Sequence, residues 1–450
     1  MLNEVYVEKC DDYSEKNINK TLSKFDHLFA KVINKGNTIL LKPNWIAPHH
    51  KYKPNEWTCV ITHPNFIYGV LKKCVQHLGK SGKIIIADGP QTDSSFKELE
   101  KKMMIPQWTK MCSENNIEME IIDLRDNEWI ETGDVIIKRK QLRGDPMGFV
   151  EFDLKYCSEF KNHKPSRRGY YGADYDTKET NTAHTRERHL YRVSRTAINA
   201  DVFINLPKMK THKKAGITCS LKNLVGINTY KNYLPHYSEG TPFMGGDQFS
   251  DNSLMNYVEM YLLRYFKSLS LKIGLYSKYL IGIKSVGKNV FGDTRNTIRG
   301  GNWHGNDTIW RMILDLNKLL LYGNEDGTMR DGIISNQKKY LTVVDAIIAG
   351  EGNGPEAPDA INANLIFAGT SPVAVDCLAT RIMGFNYKKI PTINNSFTID
   401  SYPIVNYHFE DIVVKSKTID SLDKQTISSI SSKYCLHFKP HFGWVDHIEL

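Results

Sequence analysis

Two strongly apolar runs, TILLKPNWI (38–46) and KIIIADGP (83–90), flank a stretch whose apolar residues recur at helical spacing. That stretch, PNFIYGVLKKCVQHLG (64–79), sets Phe66, Ile67, Val70, Leu71, Cys74, Val75 and Leu78 along one face. Pro64 suits a first helical turn and Gly79 a stop. Two buried-type strands joined by a crossover helix form a β-α-β unit, which commits its strands to a parallel sheet covered by helices. The expected fold is therefore α/β, with largely parallel sheets and helices on both faces.

The rest of the chain extends this pattern. A helix is expected over 95–104, a strand at EMEIIDL (118–124), and a helix then a strand in YRVSRTAINADVFINL (191–206). A helix over 306–320 precedes strand YLTVVDAIIAG (340–350), the loop EGNGPEAPDA, strand NLIFAG (364–369) and helix SPVAVDCLATRIMG (371–384). The implied division is an N-terminal α/β part (1–135), a polar insertion or cover (136–190) and a basic-loop core segment (191–250). An amphipathic helical segment (251–300), a second α/β part (301–385) and a peripheral α+β tail (386–450) follow.

Two segments break the α/β pattern. HKPSRRGYYGADYDTKETNTAHTRERH (163–189) has few apolar residues and no period. It reads as a long elaborated loop or a small strand-rich insertion over the site, a mobile or substrate-ordered cover whose Arg167, Arg168 and Arg186 could reach an anion. The segment 254–283 is rich in Tyr and Lys and is interrupted by Glu259, Arg264, Lys267, Lys272 and Lys278. It reads as an amphipathic helix packed on the domain, because no stretch approaches the ~18 apolar residues of a membrane span.

Composition narrows the function classes. The first residues, MLNEVYVEKCDDYSEK, carry charges where a secretion signal needs an apolar core, so a cytoplasmic protein is expected. Eight scattered cysteines with no C-x-x-C spacing suit a reducing compartment and give no thiolate metal or iron–sulfur site. A net charge of +9 is compatible with an anionic partner, and no basic arm or nucleic-acid motif points to DNA or RNA.

The chemistry concentrates at strand ends, where open α/β sheets hold ligands. DVFINLPKMKTHKKAGITCSLKNLVGIN (201–228) runs from an apolar strand into a loop with Lys208, Lys210, His212, Lys213, Lys214 and Lys222, with Cys219 inside it. Lys42-Pro43-Asn44, Thr62-His63-Pro64 and Asp88-Gly89-Pro90 end or follow other core segments. Lys42, Asn44, Lys208, Lys210 and Asn223 are candidate substrate-binding residues, and His212, Lys222 and Asp88 candidate catalytic ones. Asp345, Glu351 and Asp376 form an acidic set that suits Mg²⁺ or Mn²⁺, or salt bridges to the lysines, or a helix start in the case of Asp376. Trp303, His304 and Asn306, in a glycine-flanked stretch, suit a polar or sugar platform, with Asn306 or Asp307 equally suited to cap the next helix.

LLKPN (40–44), THP (62–64), ADGP (87–90), NLPKMKTH…AGITCSLKNLVG (205–226), VVDAIIAGEGNGP (343–355) and AGTSPVAVDCLATRIMG (368–384) resemble the domain of unknown function 362 family over roughly 36–385. GNWHGNDTIWRMILDLN (301–317) is similar to a subgroup associated with surface-polysaccharide or other biosynthetic gene neighbourhoods. Some members carry ferredoxin-like iron–sulfur modules, whose cysteines this chain lacks. A more distant likeness joins His212-x-x-Ala215-Gly216-x-Thr218-x-x-x-Lys222 to the loop of nickel-pincer lactate racemases. It implies a related fold and site position. Cys219, Ser220 and Leu221 stand where the racemases have small residues, and an Asp-x-x-Arg-Pro segment is missing, so the nickel-pincer cofactor is not expected.

These readings give a cytoplasmic enzyme acting on a small anionic, phosphorylated or carboxylated, sugar-like metabolite, with surface-polysaccharide biosynthesis as the setting the resemblance suggests. The alternatives are a non-catalytic binding or scaffold component with biosynthetic protein partners, and a racemase, epimerase or oxidoreductase related to the lactate racemases.

Overall fold

The computed structural model describes residues 3–133, 135–273, 277–292 and 296–450. Its main sheet has ten strands: β1 (Glu4–Lys9), β2 (Thr38–Pro43), β3 (Lys83–Asp88), β4 (Glu118–Asp123), β5 (Val202–Leu206), β6 (Lys208–His212), β7 (Gly216–Thr218), β8 (Lys339–Asn353), β9 (Ala357–Gly369) and β10 (Val413–Lys415). The order is β10-β1-β9-β8-β5-β2-β3-β4, with β6 and β7 extending the sheet beside β8. Strands β8, β5, β2, β3 and β4 run parallel. The helices used below are α1 (Glu15–Leu22), α2 (Asp26–Val32), α3 (Pro64–Leu78), α4 (Ile105–Glu114), α5 (Ser220–Asn223), α6 (Leu254–Ile273), α7 (Ser277–Phe291), α8 (Ile309–Tyr322) and α9 (Pro372–Met383).

Side-chain alternation explains the layering. Ile39, Leu41, Ile84 and Ile86 face one core with Ile18, Phe29, Phe66, Val70 and Trp108 of α1–α4. Their neighbours Leu40, Ile85 and Ala87 face the other, with Leu316, Leu320, Val375 and Leu378 of α8 and α9. Helix α3 begins as expected, with His63 as N-cap and Pro64 in its first turn, and ends at Gly79. Helix α9 is capped by Ser371 and closed by a left-handed Gly384.

Three stretches differ from the sequence reading. The segment read as the loop EGNGPEAPDA is mostly strand: β8 and β9 form a long antiparallel hairpin, with Glu351 opposite Asp359 and Asn353 opposite Ala357. Part of this arm is exposed, as at Asp359 and Ala360, so it carries no apolar period to read. The polar segment near 160–190 is packed rather than loose, burying Phe160, Tyr170, His184 and His189. Its tyrosines and histidines form the core that the count of aliphatic residues missed. Arg167 and Arg186 are exposed, and Arg168 lies over the Tyr261 ring of α6. In the tail, Trp444 donates its indole N–H to the Lys213 carbonyl (2.9 Å), so the C-terminal segment braces the basic loop.

The amphipathic segment forms α6 and α7. Phe266 and Leu280 bury against Val135, and Glu259 and Lys267 pair with Arg299 (3.3 Å) and Glu239 (2.9 Å). No helix among the described residues is long and apolar enough to cross a membrane.

Candidate functional site

The ends of the parallel strands β2, β3 and β5 meet the basic loop in one place. Lys42 at the end of β2 and Asp88 at the end of β3 form a buried ion pair, Nζ to Oδ1 2.6 Å. Asp88 also accepts the backbone N–H of Trp45 (2.7 Å) and of Gly89 (2.8 Å). Burial lowers the Lys42 amine, and the Asp88 charge opposes that shift. Gly226 lies directly over the pair: a Cβ there would overlap Asp88 Oδ1 and come within 2.7 Å of Lys42 Nζ. Lack of space, rather than backbone conformation, accounts for the glycine.

Lys222 sits on α5, four residues before Gly226, and is half-buried. It makes no ion pair or hydrogen bond among the described residues. Burial first, and then the Lys42 charge, pull its amine down to about 8, with Asp88 opposing. Asp376 of α9 holds the start of α5 by accepting the N–H of Ser220 (2.7 Å) and Leu221 (3.0 Å). Burial pushes this carboxyl up to about 6.

An amide network ties these pieces together. Asn44 donates to Asn223 (2.9 Å), and Asn223 to Asn205 (2.7 Å). Asn205 donates in turn to the Ser220 carbonyl (2.9 Å) and Tyr340 Oη (2.7 Å). Lys210 donates to Asn44 Oδ1 (3.1 Å) and to the Val60 carbonyl, and burial draws its amine down to about 7. Asn205 was not singled out in the sequence, where an amide inside an apolar strand gives no signal of its partners.

Lys208 belongs to a second buried pair, with Asp345 of β8 (2.6 Å, both side chains 0% exposed). Tyr13 donates its hydroxyl to Asp345 (2.7 Å) and accepts from Lys208 (2.9 Å), while its ring stacks on His63. Glu351 accepts the Lys439 N–H (2.8 Å). The acidic set is therefore not gathered: Asp345 neutralises a lysine, Glu351 meets the tail and Asp376 anchors α5. Among the described residues no group of three or more His, Cys, Asp or Glu is arranged to hold a metal ion. Of the readings weighed for these carboxylates, the salt bridge describes Asp345, while Asp376 lies beyond the first turn of its own helix and serves the start of α5 instead.

His212, at the end of β6, accepts the backbone N–H of Lys214 (3.0 Å) and Ala215 (3.1 Å) on Nδ1. Burial and the surrounding lysine charges hold its pKa well below the ordinary value. The hydrogen bonds assign the proton of the neutral ring to Nε2, so this group offers an N–H donor and has no free lone pair for use as a base. Lys213 pairs with Glu356 (3.2 Å). Lys214 makes no ion pair among the described residues, stands over the Tyr237 ring, and is pulled down to about 7, chiefly by burial. Lys231, also unflagged in the sequence, donates to the Gly89 carbonyl (2.9 Å) and is drawn to about 7 by burial. Cys219 is fully buried with its thiol pushed up, the setting of an inert cysteine.

Trp303, His304 and Asn306 make no contact with Lys42 or Asp88, and Asn306 donates to the His236 carbonyl (3.0 Å). Asn306 Oδ1 caps α8 by accepting from Thr308 and Ile309 (both 3.0 Å). Trp303 donates to the Asp247 carbonyl (2.9 Å) and His304 stacks on His447 of the tail. Trp303 lines a separate cavity of about 390 Å³ with His163, Asp247 and Arg311.

The site thus brings together, among the described residues, a half-buried ammonium without an ion pair, a fixed ion pair, amides in a closed network and an imidazole N–H. Such a set can bind and polarise oxygens, and the Lys222 amine, partly neutral near pH 7, can also accept a proton or act as a nucleophile. The chain belongs to the family described as Domain of unknown function (DUF362), whose profile matches residues 39–145 and 170–381. Comparison with curated proteins returns no match. Among solved structures it is similar to a protein from Thermotoga maritima, with 11% identity and a TM-score of 0.32 over 78% of this chain and 55% of that one. It is also similar to the lactate racemase apoprotein from Thermoanaerobacterium thermosaccharolyticum, with 12% identity and a TM-score of 0.30 over 84% of this chain and 57% of that one. This chain thus spans little more than half the length of each of these two solved proteins.

Proposed function

We propose that this DUF362 chain is an enzyme that holds a small anionic metabolite, phosphorylated or carboxylated and sugar-like, against Lys222. The observation that carries the reading is the Lys222 ammonium, half-buried and unpaired among the described residues beside the Lys42–Asp88 pair. A cation withdrawn from water without a counter-ion is stabilised by an arriving anion. Lys42 adds positive charge beside it, while Asn44 and Asn223 keep the strand ends in register. In this reading His212 donates from Nε2 to a substrate oxygen. Lys222 binds the anion and, when neutral, takes a proton or forms a covalent bond. Asp88 positions Lys42 and is not the base, since Lys42, Trp45 and Gly89 already occupy its oxygens. A cytoplasmic, biosynthetic setting is part of the same proposal.

Native mass and elemental analysis of the protein from its own host, wild type beside Lys222→Ala, tests it. The expected result is a bound or covalently attached anionic metabolite in the wild type that is missing from the variant. A ligand retained in full by Lys222→Ala contradicts the assignment.

A further inference from the structure

A cavity of about 1060 Å³ lies between Lys213 and Lys214 of the basic loop and helices α6 and α7. Small-molecule sites occupy roughly 300–1,000 Å³, so this space exceeds the needs of a simple sugar phosphate. Its two ends differ in chemistry. Lys213, Lys214, Gln91, Asp93 and Glu356 line one end. Met255, Val258, Leu262 and Phe266 of α6 and Ile283, Val286 and Val290 of α7 line the rest, interspersed with Glu131, Lys284 and Lys288 and with Lys267 and Arg299, which pair with Glu239 (2.9 Å) and Glu259 (3.3 Å). The wall from Met255 to Leu269 runs about 21 Å at ~1.5 Å per residue, the reach of a long alkyl chain.

We infer that the site takes an amphiphilic anion, a phosphate or carboxylate carried on one long alkyl or prenyl chain, with its head at Lys214 and its chain between α6 and α7. The inference rests on the reading of the lysine loop as an anion site and goes beyond it, adding at the Lys214 end an amphiphilic ligand distinct from the small anion held against Lys222. Charge fixes the polarity of the ligand. Glu356 is engaged by Lys213 (3.2 Å) and Lys51 (3.8 Å), whereas Lys214 makes no ion pair among the described residues. Asp93 also faces this end, so the head group sits on the Lys214 side. The Lys214 backbone N–H is held by His212 (3.0 Å), which ties the cavity's polar end to the basic loop.

Exposure argues for the chain. Val258, Leu262, Val286 and Val290 are 42%, 51%, 62% and 58% exposed although all line the cavity. Apolar surface gathered on both walls of a concave space is unfavourable in water and is covered by an apolar occupant. A concave space lined from two helices fits one chain better than a flat membrane surface or a second protein.

Isothermal titration with dodecyl phosphate below its micelle concentration, beside inorganic phosphate and dodecanol, tests the inference. The wild type is expected to bind dodecyl phosphate at least about hundredfold tighter than inorganic phosphate, since each buried methylene strengthens binding severalfold. Leu262→Gln and Val286→Gln, both at exposed positions that tolerate polar side chains, should each weaken dodecyl phosphate about tenfold and leave inorganic phosphate unchanged. Lys214→Met should weaken both phosphates and leave dodecanol unaffected. Equal affinity for dodecyl and inorganic phosphate overturns the inference while leaving the anion site standing. Equal affinity for dodecyl phosphate and dodecanol overturns the head-group assignment and counts against the anion site as well. Binding to phosphatidylglycerol vesicles without uptake of free dodecyl phosphate replaces the cavity by a membrane contact and also overturns it.

Discussion

Competitive acetylation across a pH series should set Lys222 apart from the surface lysines. Burial and the Lys42 charge bring its amine from 10.5 to about 8. At pH 7 about 9% of such an amine is neutral, against about 0.03% of an ordinary lysine, a ratio of about 300. Lys214 and Lys231, both pulled to about 7, should label with it, while the exposed surface lysines lag. The assay is trace labelling with acetic anhydride, followed by full modification with a heavy reagent and peptide mass spectrometry. The ratio at each pH gives a titration midpoint for each lysine. Two perturbations then move the midpoint with a known sign. Lys42→Met removes a like charge, so the Lys222 midpoint should rise. Bound phosphate favours the ammonium, so the midpoint should rise by about one unit for every ~1.4 kcal/mol of preference. A midpoint near 10.5, or one indifferent to both perturbations, would refute the picture of a desolvated cation waiting for an anion.

Gly226→Ala should force the Lys42–Asp88 pair apart, because the added methyl overlaps Asp88 Oδ1. The loss expected on breaking a buried pair is about 3–5 kcal/mol, and an unchanged urea midpoint would contradict the close approach. Asp345→Asn leaves Lys208 buried without a counter-charge and should cost about 3–5 kcal/mol, with Tyr13→Phe losing about 1 kcal/mol by the same assay. Phosphate affinity should be highest where Lys222 is charged, below about pH 8, and fall about tenfold per unit above it. A pH-independent affinity between 7 and 10 counts against Lys222 as the ligand.

The sequence was most legible where a residue reports on its own neighbours. Pro64, Gly79, Ser371 and Gly384 mark helix ends through local backbone chemistry, and the runs at 38–43 and 83–88 are apolar because both faces of the sheet are covered. Lys42, Asp88, Lys222 and Asn223 drew attention because polar groups at strand ends are conspicuous. Their pairing was not legible: Lys42 lies 46 residues from Asp88, and only the sheet register brings them together. The same limit applies to Asp345, read with Glu351 and Asp376 as one acidic set and found on Lys208, 137 residues away. Tyr13 gave no signal, since a tyrosine before a helix is unremarkable until its hydroxyl meets Asp345. The cavity beside α6 and α7 was also hidden, because helical spacing shows which residues share a face and not whether that face is covered.

The most direct test of the central claim is a crystal structure of the protein soaked with tungstate, read by anomalous scattering. The account predicts an anion peak in the cleft within about 3 Å of Lys222 Nζ, lost in Lys222→Ala crystals grown and soaked alike. A peak that persists in the variant, or anions only on the outer surface with the cleft left to water, would contradict it.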